Sequence, residues 1–119
     1  MTVVIAGCRH ISGQRGGSLV AEAIDKSGWS GEIDKVLHGG APGIDSAVHA
    51  VCSPLWPVVV FPAEWHVHGR AAGPVRNELM ARSADALIAI WDGKSRGTAS
   101  MINAAKKHGL KIFVLEVDA

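Results

Sequence analysis

Five short apolar runs, each closed by a turn residue, alternate along this chain with segments of helical spacing, and that alternation leaves few folds open. The runs are residues 2–6 (TVVIA), ended by Gly7; 35–37, ended by His38-Gly39-Gly40; 58–61 (VVVF), ended by Pro62; 86–91 (ALIAIW), ended by Asp92-Gly93; and 112–115 (IFVL). None alternates cleanly between apolar and polar, which is how strands buried on both faces read. Helices are expected over 18–26, after a glycine-rich loop, and over 44–52, 75–82 and 98–108. Ile44, Ala47, Val48 and Val51 share one helical face; Val75, Leu79 and Met80 are the apolar positions of the next. The last helix ends at Gly109 with Lys106, Lys107 and His108 in its final turn, where the helix dipole favours cations. Strand and helix in strict alternation imply parallel pairing with right-handed crossovers. The expected fold is a Rossmann-like three-layer α/β sandwich of about five parallel strands. The expected order is 3-2-1-4-5, with the switch between the first and fourth strands.

Length and charge narrow the function. The 119 residues suit one domain, and 48% hydrophobic residues suffice to fill its core. Twelve basic residues against eleven acidic ones argue against a protein that grips DNA non-specifically, which needs a basic excess. Cys8 and Cys52 form no CxxC pair and no disulfide framework. The N-terminus lacks the basic start and long apolar run of a signal peptide, and no stretch approaches the roughly 20 apolar residues that span a bilayer. The expectation is a soluble, cytoplasmic protein with no membrane partner.

The unusual residues gather at strand ends: Gly7-Cys8-Arg9-His10, then His38 to Asp45, then Glu64-Trp65-His66, then Trp91 to Thr98. In a parallel sheet these positions lie on one edge, where open α/β sheets bind ligands. Gly39-Gly40 and Gly93…Gly97-Thr98 each lead toward a helix N-terminus, whose amides and dipole suit an anion. The plainer alternative is that the glycines make tight turns and Thr98 caps its helix. No GxxxxGK[ST] and no GxGxxG is present.

The ordered set HGGAPGID, FPAEW, AAGPVRNELM and GTASMI resembles the small YspA/YpsA-type members of the SLOG superfamily. That superfamily also holds the DprA/SMF DNA-processing proteins and the LOG cytokinin-activating phosphoribohydrolases. The resemblance runs from Gly7 to about Ile112. It implies a Rossmann-like domain with a pocket for nucleotides or nucleotide-derived ligands, and by analogy a homodimer. Gly97-Thr98 matches the phosphate-binding GT of the LOG enzymes, although their preceding PGG is replaced here by Gly93-Lys94-Ser95-Arg96. Arg76, with Asn77 beside it and Met80 four residues on, is similar to the arginine of their active-site RKxxM segment. Their glutamate three residues after the threonine is Met101 here, and methionine cannot stabilise an oxocarbenium-like centre or steer a water.

The candidate ligand residues are therefore Gly7, Cys8, Arg9, His38, Gly39, Gly40, Asp45, Trp65, Arg76, Asn77, Trp91, Gly97 and Thr98. Arg9 and Arg76 suit a bidentate grip on phosphate or carboxylate. Asp45 either bonds a ribose hydroxyl or favours its helix dipole. Trp65 and Trp91 either stack on a base or cover the sheet end. Cys8 reads better as a small buried residue than as a nucleophile, since spacing reveals no base partner. Glu64 is the candidate acid/base group, and Glu64 and Arg76 are the candidate catalytic residues. His66 and His68 form an HxH, with His10 and His38 elsewhere on the same edge, but a loop HxH alone seldom holds zinc. No metal and no cofactor are expected.

Three functions remain, in this order: a binding or sensor domain for a nucleotide-derived ligand; a nucleoside-monophosphate phosphoribohydrolase that uses Glu64 or Asp92 in place of the missing glutamate; and a DprA-like single-stranded DNA binder, which the near-neutral charge ranks last.

Overall fold

The computed structural model describes residues 1–118. Its elements are β1 (Thr2–Gly7), α1 (Gly13–Ser27), β2 (Lys35–His38), α2 (Ile44–Cys52), β3 (Val58–Val60), α3 (Trp65–His68), α4 (Ala72–Arg82), β4 (Ala86–Trp91), α5 (Arg96–Lys107) and β5 (Lys111–Glu116). Short 3-10 turns at Ser30–Glu32 and Gly69–Ala71 complete the chain trace. All four strand pairings are parallel, and the sheet runs β3-β2-β1-β4-β5, the order expected from sequence. The switch in strand order lies between β1 and β4, where Gly7 pairs with Ile90.

Alternate side chains of the central strands feed two cores, because successive residues of a strand point to opposite faces. Val3 and Ile5 of β1, with Val36, Ile88 and Ile90, pack under Val20 and Ile24 of α1 and Ile44 and Val48 of α2. Val4, Leu37, Leu87 and Ala89 face the other way, onto Met80 and Ala81 of α4 and Met101, Ile102 and Ala105 of α5. Central strands covered on both faces must be apolar throughout, and ALIAIW of β4 is buried at its first five positions.

Three expectations need correction. The glycine-rich segment before residue 18 is not a loop: α1 starts at Gly13 and runs through Gly16 and Gly17. Glycine weakens a helix by about 1 kcal/mol relative to alanine, but here it permits a close approach. A β-carbon on Gly16 would stand 3.2 Å from that of Ala47 on α2. β3 is not buried on both faces. It is a sheet edge, and Val59 and Val60 are 41% and 40% exposed. The third is α4, which begins three residues before 75 and carries Pro74 in its first turn, where a missing amide hydrogen is harmless. No helix of the described residues is long and apolar enough to cross a membrane.

Candidate functional site

Because every strand points the same way, the loops after β1, β2, β3 and β4 meet at one edge of the sheet. The loops after β1, β2 and β4, with α4, surround a cavity of about 390 Å³. Its walls are Gly7, Cys8, Arg9 and His10 after β1, Asp45 from α2, Arg76, Asn77 and Met80 from α4, and Ser95 to Thr98 with Met101 from the start of α5. A smaller cavity of about 210 Å³ continues from it past Arg9, Ala41 and Arg76 to Gly39, Gly40, Pro62 and Trp65.

The start of α5 forms one wall of the larger cavity. Asp92 folds the preceding turn: its Oδ1 accepts the amides of Lys94 and Ser95 at 2.9 and 2.8 Å, and its Oδ2 accepts the Ser95 hydroxyl at 3.0 Å. These bonds, with the backbone ones foremost, hold the Asp92 carboxyl down to about 2. The chain then enters the helix, and the first bond of that turn runs from the Ala99 amide to the Ser95 carbonyl. The amides of Arg96, Gly97 and Thr98 precede it and belong to the open end of the helix. All three residues line the larger cavity.

In the Gly39-Gly40 loop the amides that were expected to face an anion find partners within the protein. The Gly40 amide donates to Nδ1 of His38 and the Ala41 amide to Oδ2 of Asp45. The Ile44 amide, which opens α2, donates to the Cys8 carbonyl. The loop serves Arg76 instead. Nη1 of Arg76 donates to the Gly39 carbonyl at 2.5 Å and to that of Phe61 at 3.3 Å, and Nε donates to Oδ1 of Asn77 at 2.9 Å. Asn77 is 4% exposed, and its Nδ2 reaches the Gly97 carbonyl and the Ser100 hydroxyl. It therefore ties α4 to the first turn of α5.

Asp45 is buried, and that burial raises its carboxyl above the ordinary range, although the Ala41 amide and the Arg76 and Arg9 charges pull the other way. Burial likewise works against the Arg76 charge while Asp45 supports it. Each charge favours the other, but burial outweighs that attraction in both.

Eight residues singled out from sequence line the larger cavity: Gly7, Cys8, Arg9, Asp45, Arg76, Asn77, Gly97 and Thr98. Gly39, Gly40 and Trp65 line the smaller one, Trp65 half exposed at its rim. Gly7 also has a packing reason to be glycine, since a β-carbon there would fall 2.6 Å from Cγ2 of Ile44. Three expectations fail. His38 is buried and lines neither cavity, with Nε2 against Nδ1 of His49 at 3.0 Å and Nδ1 held by the Gly40 amide, so both nitrogens have partners within the protein. Trp91 donates its indole N–H to the Ser95 carbonyl and lines a separate groove with Asp92 and Glu116. Glu64 is exposed and lines neither cavity; its carbonyl accepts amides of α3, an element too short to leave a periodic signal in the sequence.

His10, Ser95 and Arg96 reach the larger cavity although they were not among the candidate ligand residues. A cation directly before Gly97-Thr98 was the available signal for Arg96. His66 and His68 sit on α3 and do not join His10 or His38 in any metal-ligating group. A different trio does converge, namely Cys8, His10 and Asp92.

No family model matches the chain, and no curated protein matches it. Among solved structures it is similar to DNA processing protein A (DprA) from Streptococcus pneumoniae, with a TM-score of 0.73 and 19% sequence identity. The match covers 98% of this chain and 50% of that one, so the chain spans about half the length of this structural relative. At that identity the likeness establishes a shared Rossmann-like α/β fold.

Proposed function

We propose that this crevice binds a nucleotide-derived small molecule by its phosphate and acts as a binding or sensor module. The observation that carries the reading is the meeting of the open α5 N-terminus with Arg9, Arg76 and Arg96 around one cavity that, among the described residues, a single carboxylate side chain, Asp45, enters. Backbone amides, a helix dipole and guanidinium groups are the partners a phosphate takes. The smaller cavity leads away from them to Trp65, an exposed ring on which a base can stack, with Asp45 within the larger cavity for a ribose hydroxyl.

Hydrolysis finds little support. Met101 lies in the cavity wall, 1% exposed, where the resembling LOG enzymes have glutamate. Glu64 is outside the cavity and Asp92 is bound into its turn. Asp45 is the remaining carboxylate. A second reading, DprA-like binding of single-stranded DNA, is favoured by the likeness to DNA processing protein A.

Calorimetric titration with nucleoside monophosphates, the matching nucleosides and inorganic phosphate tests the reading. A monophosphate should bind at least about tenfold more tightly than its nucleoside, since charge-assisted hydrogen bonds contribute about 1.5–3 kcal/mol each. Equal affinity for the two, or none for either, refutes it. Free base released during incubation, and abolished by Asp45→Asn, would show that the site is a hydrolase.

A further inference from the structure

Register brings three metal-ligating side chains together where β1 and β4 end. Gly7 pairs with Ile90, so Cys8 and His10, just past β1, stand beside Asp92, just past β4. One ligand atom from each of Cys8, His10 and Asp92 lies within 4.8 Å of the other two. Nε2 of His10 is 3.7 Å from Oδ2 of Asp92. Ligands of a tetrahedral zinc ion at bond lengths of about 2.0–2.3 Å stand roughly 3.3–3.8 Å apart, so this spacing is already that of one edge of such a site.

The donor chemistry selects the ion. A thiolate, an imidazole and a carboxylate suit zinc, whereas magnesium and calcium take oxygen alone. The thiolate and carboxylate charges together balance a divalent cation. The Asp92 carboxylate is held in orientation by Lys94 and Ser95, and Oδ2, which accepts a single hydrogen bond, keeps a lone pair for a metal. The Cys8 thiol donates only a weak bond to the Ile90 carbonyl, 3.5 Å away, and its proton leaves on metal binding. His10, with a side chain 47% exposed, supplies both the third ligand and the way in.

We propose that Cys8, His10 and Asp92 hold a zinc ion through three protein bonds, with the fourth coordination position open to the larger cavity that Cys8 and His10 line. Three protein ligands and one open position is the arrangement zinc adopts where it meets a ligand, whereas purely structural zinc has four protein ligands. Ser95, Gly97 and Thr98 line the same cavity, so the open position meets whatever the α5 amides hold. This last consequence rests on the phosphate reading above; the metal site itself does not.

The test starts from full-length protein stripped with a chelator and titrated with zinc against a chromophoric competitor. One zinc per chain is expected. Cobalt in its place should show the intense near-ultraviolet thiolate charge-transfer band, lost in Cys8→Ser and kept in Cys52→Ser. His10→Ala is the deciding variant, because His10 is exposed and its loss leaves the fold intact. It should weaken zinc by about 100-fold, as Asp92→Asn should, while the double change His66→Ala, His68→Ala has no effect. No zinc binding at micromolar concentrations, affinity unchanged in His10→Ala, or a cobalt complex without the thiolate band would overturn the site. Phosphate is then titrated with and without zinc. Tighter phosphate binding in the zinc form supports the open position facing the anion, and equal binding overturns that placement. Absence of phosphate binding in both forms counts against the phosphate reading alone, since zinc affinity is measured separately.

Discussion

Arg76 of α4 is seated on Gly39, at the end of β2, by a hydrogen bond from Nη1 to the glycine carbonyl, and a β-carbon on Gly39 would lie inside the guanidinium. The pair links two elements 37 residues apart and fixes the cation that divides the larger cavity from the smaller. The glycines of this loop thus act through an arginine, and not by offering their own amides to an anion.

Gly39→Ala should therefore copy Arg76→Ala. The backbone accepts alanine, since Gly39 has no left-handed φ, and the clash falls on the end of a flexible side chain. The protein should fold with a loss of about 1 kcal/mol, the value of one hydrogen bond, while nucleoside-monophosphate affinity drops about tenfold or more by calorimetry. Wild-type affinity in Gly39→Ala would remove Arg76 from the ligand's partners.

Gly97→Asp separates binding from folding. A β-carbon at Gly97 meets open space, and an acidic residue in the first helical turn suits the dipole. The Tm should stay level or rise slightly. The new carboxylate competes for the amides that a phosphate needs, so monophosphate binding should fall by at least tenfold, roughly the loss of one charge-assisted bond. Unchanged affinity would exclude the α5 N-terminus as the phosphate site.

His38 makes stability depend on acid. Burial first, then the nearby His49 and Arg76 charges, lowers it from 6.5 to about 4. The Gly40 amide donates to Nδ1, so the proton of neutral His38 sits on Nε2 and is donated to His49. A second proton would set two donors against each other. The unfolded chain takes up that proton first, so stability is whole above about pH 6.5 and falls as pH drops toward 4, by about 2–3 kcal/mol. Urea unfolding at pH 7 and pH 4.5 measures the loss. His38→Asn, whose Oδ1 can accept the same amide, should flatten that part of the profile; an unaltered slope would assign it to another group.

Single-stranded DNA should bind weakly. A formal net charge of +1 leaves few phosphates that the protein can neutralise together. At about 150 mM salt, a gel-shift assay should give no submicromolar complex. Such a complex would promote the DNA-binding reading over the small-molecule one.

Strand order and the edge where the cavities open were legible in the sequence, because short apolar runs in strict alternation with helices build a parallel sheet, and parallel strands deliver all their C-terminal loops to one side. That reasoning put Gly7, Arg9, Asp45, Arg76, Gly97 and Thr98 around one cavity. It could not say which way a side chain at a strand end turns. His38 and Trp91 end the strands on either side of β1 as prominently as Arg9 follows β1, yet His38 pairs with His49 and Trp91 with the Ser95 carbonyl. Nor could it bring His10 to Asp92, which lie 82 residues apart in the chain and 3.7 Å apart at the nearest atoms. The sequence by itself determined periodicity and so the sheet, its order and the edge where its C-terminal loops gather. Tertiary structure alone decided which polar groups meet there, because a buried donor or acceptor takes whichever partner packing brings within reach, and that partner comes from another element.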